Sequence, residues 1–144
     1  MLFRSRFESW EKSYVNLAGL GAAVRQALDL GPDAIGARTA MLGARLRGQL
    51  GALPGVSVHD LGEVRCAIVT ARVEGVPAAE VAAALGRAGV NVSTTVAGHS
   101  PLDTRDRPAH PLVRFSPHYY NTEEELDRAV SLVAGIARHG HATR

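Results

Sequence analysis

The feature that most constrains this fold is a change of apolar period along the chain. Helical stripes give way to short β-branched runs, then return at the end. From Ser13, the residues Leu17, Leu20, Val24 and Leu28 recur at helical spacing, and Gly31-Pro32 breaks the pattern. A second stripe, Ile35, Thr39, Leu42, Leu46 and Leu50, predicts another helix. Arg38, Arg45 and Arg47 lie off that stripe, and Leu53-Pro54-Gly55 supplies the stop. Val56–Val58 is a short strand candidate, Asp60-Leu61-Gly62 a turn, and Arg65–Val73 reads as a buried strand. Pro77 opens a third helix with Val81, Ala84, Leu85 and Ala88 on its apolar face and Gly89 at its end. Val90–Ser93 and Leu112–Ser116 read as strands, and Ala97–Pro111 between them as a long surface loop. Thr122-Glu123-Glu124-Glu125 matches a capping box, and Leu126, Ala129, Val130, Val133 and Ile136 give the last helix its core face.

The order is therefore α-α-β-β-α-β-β-α. A small mixed or antiparallel sheet with helices on one face, an α/β (α+β) two-layer sandwich, satisfies it. The 144 residues suit a single domain spanning 1–144, with 1–12 an extended lead-in and 138–144 a frayed tail.

Composition excludes several classes. Aromatic residues are only 5%, so the core must be aliphatic. The net charge is +2, and the arginines are scattered among acidic residues, so nucleic acid is not an expected partner. One cysteine, Cys66, precludes an internal disulfide, and its apolar surroundings predict a buried, inert thiol. No run approaches the roughly 20 apolar residues of a membrane span, and the N-terminus lacks a signal-peptide core. A cytoplasmic location without membrane association is the expectation.

Arg114 stands out chemically. It lies near the end of the apolar run Leu112-Val113-Arg114-Phe115-Ser116, just before Pro117. A rigid strand there would project a planar fork able to grip a carboxylate through two parallel hydrogen bonds. The other reading is a solvated arginine on the open face of an edge strand. His99, His110 and His118 match no compact metal motif by their spacing, so no metal site is expected. Ser116 near His118 lacks an acidic third member and a glycine elbow. Gly19-Leu20-Gly21 sits in a helical pattern, which suits close packing and not a phosphate loop. Tyr119-Tyr120 is expected to anchor a strand-to-helix corner with both rings buried.

The run Val113-Arg114-Phe115-Ser116-Pro117-His118-Tyr119-Tyr120-Asn121-Thr122-Glu123-Glu124-Glu125-Leu126-Asp127 resembles the C-terminal signature of class V aminotransferases and their cysteine-desulfurase and epimerase relatives. Arg6-Phe7-Glu8, Trp10-Glu11, Leu53-Pro54-Gly55-Val56 and Gly89-Val90-Asn91-Val92 extend the likeness from about Arg4 to Ile136. The resemblance implies the C-terminal small domain of a pyridoxal-phosphate enzyme, with Arg114 binding the α-carboxylate of an amino-acid or keto-acid substrate. It further implies that the segment Ser93–Pro108 covers the active site, with Ser93, Thr94, Thr95 and His99 as candidate residues. That segment carries no cysteine, which points away from persulfide chemistry. Trp10 and Glu11 stand where the family has a Gly-Thr that contacts the cofactor phosphate. The family's Schiff-base lysine, in a Ser-x-His-Lys context, has no counterpart here, and Lys12 is the one lysine. The resemblance thus implies a missing large cofactor-binding domain, a homodimer, and little activity from this chain alone. A stand-alone module binding a carboxylate ligand or another protein is the alternative.

Overall fold

The computed structural model describes residues 12–60, 62–95 and 110–142. It divides into two compact units, one running to Ile35 and one from Gly36 onward. The first contains helix α1 (Tyr14–Leu30), capped by the Ser13 hydroxyl, which accepts from the Asn16 N–H. Gly31, at φ 87°, ends it. Its stripe of Leu17, Leu20, Val24 and Leu28 is exposed, and none of its residues is buried.

Helix α2 (Pro32–Gly51) carries the chain into the second unit. There follow β1 (Val56–Val58), β2 (Val69–Val73), α3 (Ala78–Arg87), β3 (Ser93–Thr95), β4 (Leu112–Phe115) and α4 (Glu123–Ala142). The element order is the one the periodicity predicts. The four strands form one sheet in the order β1-β2-β4-β3, antiparallel throughout.

Strand alternation sorts the sheet into two faces. Val69, Ala71 and Val73 of β2 and Val113 and Phe115 of β4 point to one side. They form the core with Leu42, Leu46 and Leu50 of α2, Val81 and Leu85 of α3, and Leu126, Val133 and Ala137 of α4. The aliphatic core expected from the low aromatic content is what the molecule has.

Local chemistry sets the element ends. Val56 N–H bonds Leu53 C=O across Pro54-Gly55, and Gly55 at φ 73° fits the third position of a type II turn. At the end of α3, Gly89 lies at φ 78°, Val90 N–H reaches Leu85 C=O, and Gly89 N–H reaches Gly86 C=O. This is a Schellman cap. It commits Val90 to the helix end, so β3 begins at Ser93 and not at Val90.

Three further expectations are corrected. The strand predicted over Arg65–Val73 begins only at Val69. Before it, Cys66 C=O accepts from the Arg47 side chain, and Gly62 C=O accepts from Arg65 Nε. Side chains thus satisfy this backbone in place of a strand ladder. Ala67 turns inward against Gly43, which leaves Cys66 exposed and not buried. The Tyr119-Tyr120 corner is also more open than expected. Tyr119 is half-buried and Tyr120 is 71% exposed, and both rings lie tilted against the His118 ring. α4 continues through His139 to Ala142.

The α4 start is a reciprocal capping box. Thr122 Oγ1 accepts from Glu125 N–H at 3.2 Å, and a Glu125 carboxylate oxygen accepts from Thr122 N–H at 3.0 Å. The Asn121 side-chain amide and the Thr122 N–H hold the Glu125 carboxyl below its usual range. Hydrogen bonds from Gln49 and Arg45 do the same for Asp127, and the Asp127 hydrogen bond in turn raises Arg45. A carboxylate depressed in the folded state stabilises above its unfolded pKa, and the benefit vanishes as pH falls through the folded value. Thermal stability is therefore expected to decline on acidification below about pH 4.5. Thr122→Ala should cost about 1 kcal/mol at neutral pH, and Asn121→Ala, which removes the side-chain donor to the Glu125 carboxylate, should shrink the acid-dependent part of the decline. Melting curves from pH 7 to pH 3 check both; an Asn121→Ala variant whose acid decline matches the parent's would contradict this account.

Candidate functional site

The sheet face away from the core carries the polar residues. Ser57 of β1 pairs with Arg72 of β2, and Thr70 of β2 pairs with Arg114 of β4, which pairs with Ser93 of β3. Arg114 therefore sits in a row, Thr70–Arg114–Ser93, across three strands. Its strand is interior, flanked by β2 and β3, and not at an edge. An interior strand has both backbone edges fixed by ladders, so its side chains project from a rigid base.

Arg114 itself is exposed, and no hydrogen bond or ion pair ties it to another described residue. Other arginines are held. Arg38 donates to Glu123 Oε1 and Asn121 C=O, Arg45 donates to Asp127 and pairs with Glu123, and Arg47 pairs with Asp60. Those three clamp α2 to its surroundings, which explains their place off the apolar stripe. Asp60 does a second job: its Oδ1 accepts from Thr70 N–H at 2.9 Å. The row mate of Arg114 is thus tied through Asp60 to a partly buried ion pair. Thr70 is 4% exposed, and Ser93 is half-buried.

Of the residues singled out in the sequence, Ser93 and Thr95 lie on the same face as Arg114. Ser93 is its direct neighbour, and Thr95 pairs with Leu112. Thr94 pairs with Val113, so it belongs to the opposite, core-side face. His99 lies outside the described residues. His110 and His118 are exposed and apart in the chain's course, one before β4 and one after it. Among the described residues no cluster of His, Cys, Asp or Glu is arranged to hold a metal ion. Nor is any helix long and apolar enough to cross a membrane.

Sequence reasoning missed Arg72. It is exposed on the Arg114 face, without a described hydrogen-bond or ion-pair partner. The alternation Thr70-Ala71-Arg72-Val73 was the available signal, since it puts Arg72 on the face of Thr70.

Fold and site together define an α+β domain whose antiparallel sheet presents arginines from its outer face. Comparison with known proteins sharpens this. The family model for class-V aminotransferases matches residues 3–129, and the chain belongs to that family. No curated protein sequence matches it significantly. Among solved structures, the apo cysteine desulfurase of Thermococcus onnurineus superposes with TM-score 0.82 at 23% identity, covering 94% of this chain and 34% of that one. The cysteine desulfurase CsdA of Escherichia coli superposes with TM-score 0.78 at 18% identity, covering 93% and 33%. A C-DES variant with glycine covalently linked to its pyridoxal-phosphate cofactor gives TM-score 0.72 at 21% identity, covering 90% and 31%. At these identities the likeness is one of fold. The chain spans about a third of the length of these structures.

Proposed function

We propose that this chain is the substrate-carboxylate-binding small domain of a pyridoxal-phosphate-dependent enzyme acting on an amino acid. The observation that carries the reading is Arg114: a guanidinium with no partner among the described residues, on an interior strand between the hydroxyl residues Thr70 and Ser93. A planar fork offers two parallel donors to a carboxylate, and such charge-assisted pairs are about twice as strong as neutral hydrogen bonds. The Ser93 hydroxyl is placed to give a further donor, and buried Thr70 keeps the base of the row rigid. Holding the carboxylate fixes the position of the α-carbon next to it, which is what orientation at a reacting centre requires.

The residues present do not fit covalent attachment of the cofactor. A Schiff base needs a positioned amine. Lys12, the one lysine, precedes α1 and is exposed, and the Arg114 face offers no amine. The lysine and the rest of the cofactor pocket belong, on this reading, to a large domain supplied as a partner, and the chain alone turns over no amino acid. Calorimetric titration with an amino acid and its keto acid tests the binding role. Micromolar-to-millimolar binding that Arg114→Ala weakens at least about tenfold is expected, since charged hydrogen bonds contribute about 1.5–3 kcal/mol. Equal binding by parent and variant would end the assignment. Borohydride treatment with pyridoxal phosphate should give no stoichiometric labelling of Lys12.

A second reading, a non-catalytic protein-interaction module, is favoured by one observation. The apolar stripe of α1 (Leu17, Leu20, Val24, Leu28) is exposed to solvent, and contiguous apolar surface of this kind ordinarily meets a partner. A homodimer formed through it predicts a dimer in sedimentation at micromolar concentration, converted to monomer by Leu20→Glu. A parent that sediments as a monomer would rule it out.

A further inference from the structure

The end of α3, the residues after β4 and the start of α4 line a cavity of about 410 Å³, within the range that holds small molecules. Its floor is apolar: buried Leu46, Phe115, Leu126 and Ala129, with half-buried Val90 and Val92 beside them. Two opposite charges of α4, Glu125 and Arg128, line the same cavity. Three residues apart on a helix, their Cβ atoms lie about 5–6 Å from each other, close enough for an ion pair. They make none with each other. Each is pinned by a different anchor. The Glu125 carboxylate accepts from the Asn121 side-chain amide and from Thr122 N–H, both at 3.0 Å and both on Oε2. Arg128 Nη2 donates to Ala88 C=O, at the end of α3, at 2.7 Å. Glu125 Oε1 is left as an acceptor, and Arg128 Nη1 and Nε as donors, with no partner among the described residues. The Asn121 and Thr122 donors also hold the Glu125 carboxyl below its usual range, so it is ionised at neutral pH.

We infer that this cavity binds a free amino acid with an apolar side chain, its ammonium on Glu125, its carboxylate on Arg128 and its side chain on the floor of Leu46 and Leu126. The ligand class follows from which charges are open. A simple cation would satisfy Glu125 and face Arg128 with the wrong sign, and a simple anion would do the reverse. A zwitterion with both charges on one carbon meets both through charge-assisted hydrogen bonds. The side chain on that carbon is then free to reach the apolar floor, where leaving water is favourable. Asn91 and Ser116, exposed at the rim, add an amide and a hydroxyl. A peptide does not match, because its terminal ammonium and carboxylate sit on different residues. Glu125 and Arg128 are exposed, so solvent screens each contact, and the affinity is expected on the order of a millimolar. Arg114 does not line this cavity, and the inference does not depend on the carboxylate role proposed for it.

The experiment is an NMR titration of the full chain carrying Arg114→Ala, so that the outer sheet face does not contribute. The probes are leucine, 4-methylpentanoate, which lacks the ammonium, and 3-methylbutylamine, which lacks the carboxylate. Leucine should shift the amides of Val90, Val92 and Ser116 in one saturable transition. Each truncated probe should bind roughly tenfold or more weakly, the ratio one charged hydrogen-bonded contact supplies. Glu125→Gln keeps a capping-box side chain while removing the charge. It should bring leucine down to the 4-methylpentanoate level and leave 4-methylpentanoate unmoved. Arg128→Gln should bring leucine down to the 3-methylbutylamine level and leave the amine unmoved. A merely structural effect of either substitution would weaken all three probes together, and that result overturns the site. So does a truncated probe that binds as tightly as leucine, a leucine transition confined to other amides, or no saturable leucine binding at all.

Discussion

Asp60→Ala is expected to cost about 3 kcal/mol of folding stability, the low end of the range for breaking a buried ion pair by removing one partner, because this pair is largely but not fully buried. The Asp60 and Arg47 side chains are 9% and 14% exposed. Removing the carboxylate leaves the Arg47 guanidinium with Cys66 C=O as its one partner among the described residues, and it leaves Thr70 N–H without its acceptor. Both losses are desolvated groups left unpaired, which is where mutational costs become large. Asp60→Asn should cost less than alanine, because its amide oxygen still accepts from Thr70 N–H while the charge is lost. Against a typical total of about 5–15 kcal/mol, the alanine variant would unfold a sizeable fraction of the molecules on mild denaturant. Urea titration reads the result: the midpoint should fall with the slope unchanged. A loss under about 1 kcal/mol would mean that the pair is solvated in solution. Because Asp60 also fixes the backbone of Thr70, the same variant should loosen the row that presents Arg114.

Gly43→Ala should destabilise even though alanine is the better helix former. A Cβ at residue 43 would stand 2.7 Å from the Ala67 Cα and 3.2 Å from its Cβ. The nearest neighbour is backbone, so α2 and the segment before β2 must separate, and overpacking of this kind costs about 1–3 kcal/mol. The propensity gain from Gly to Ala in a helix interior is about 1 kcal/mol, so the clash wins. Gly48 is the internal control. It lies on the same helix with nothing within 4 Å of a built Cβ. Gly48→Ala should therefore stabilise by up to about 1 kcal/mol. Opposite signs at 43 and 48 in thermal melts are the expected result, and a stabilising Gly43→Ala would show that the two segments do not touch as described.

How much of this was legible beforehand follows from how local each cause is. The start of α4 was readable because the capping box spans four consecutive residues. The element order was readable because each helix and strand carries its own period. The late start of β2 was not: it depends on the Arg47 side chain reaching Cys66 C=O, nineteen residues further along the chain. The exposure of Cys66 depends likewise on Gly43 admitting Ala67. Arg114 was legible as a residue of interest from its strand and from the family signature. Its neighbours were not, since strand register across β2, β4 and β3 is a long-range property. That register takes Thr94 off the site face, keeps Ser93 and Thr95 on it, and brings in Arg72.

The central claim is that Arg114, seated between Thr70 and Ser93, is where a carboxylate binds. The most direct measurement is an NMR titration of the isotopically labelled chain with a keto acid, following backbone amides and arginine Nε–H signals together. The account predicts that the Arg114 Nε–H resonance and the amides of Thr70, Ser93 and Arg114 move in one saturable transition, and that Arg114→Ala removes it. Saturable shifts confined to other residues, or an Arg114 signal that stays still while the ligand binds elsewhere, would contradict it.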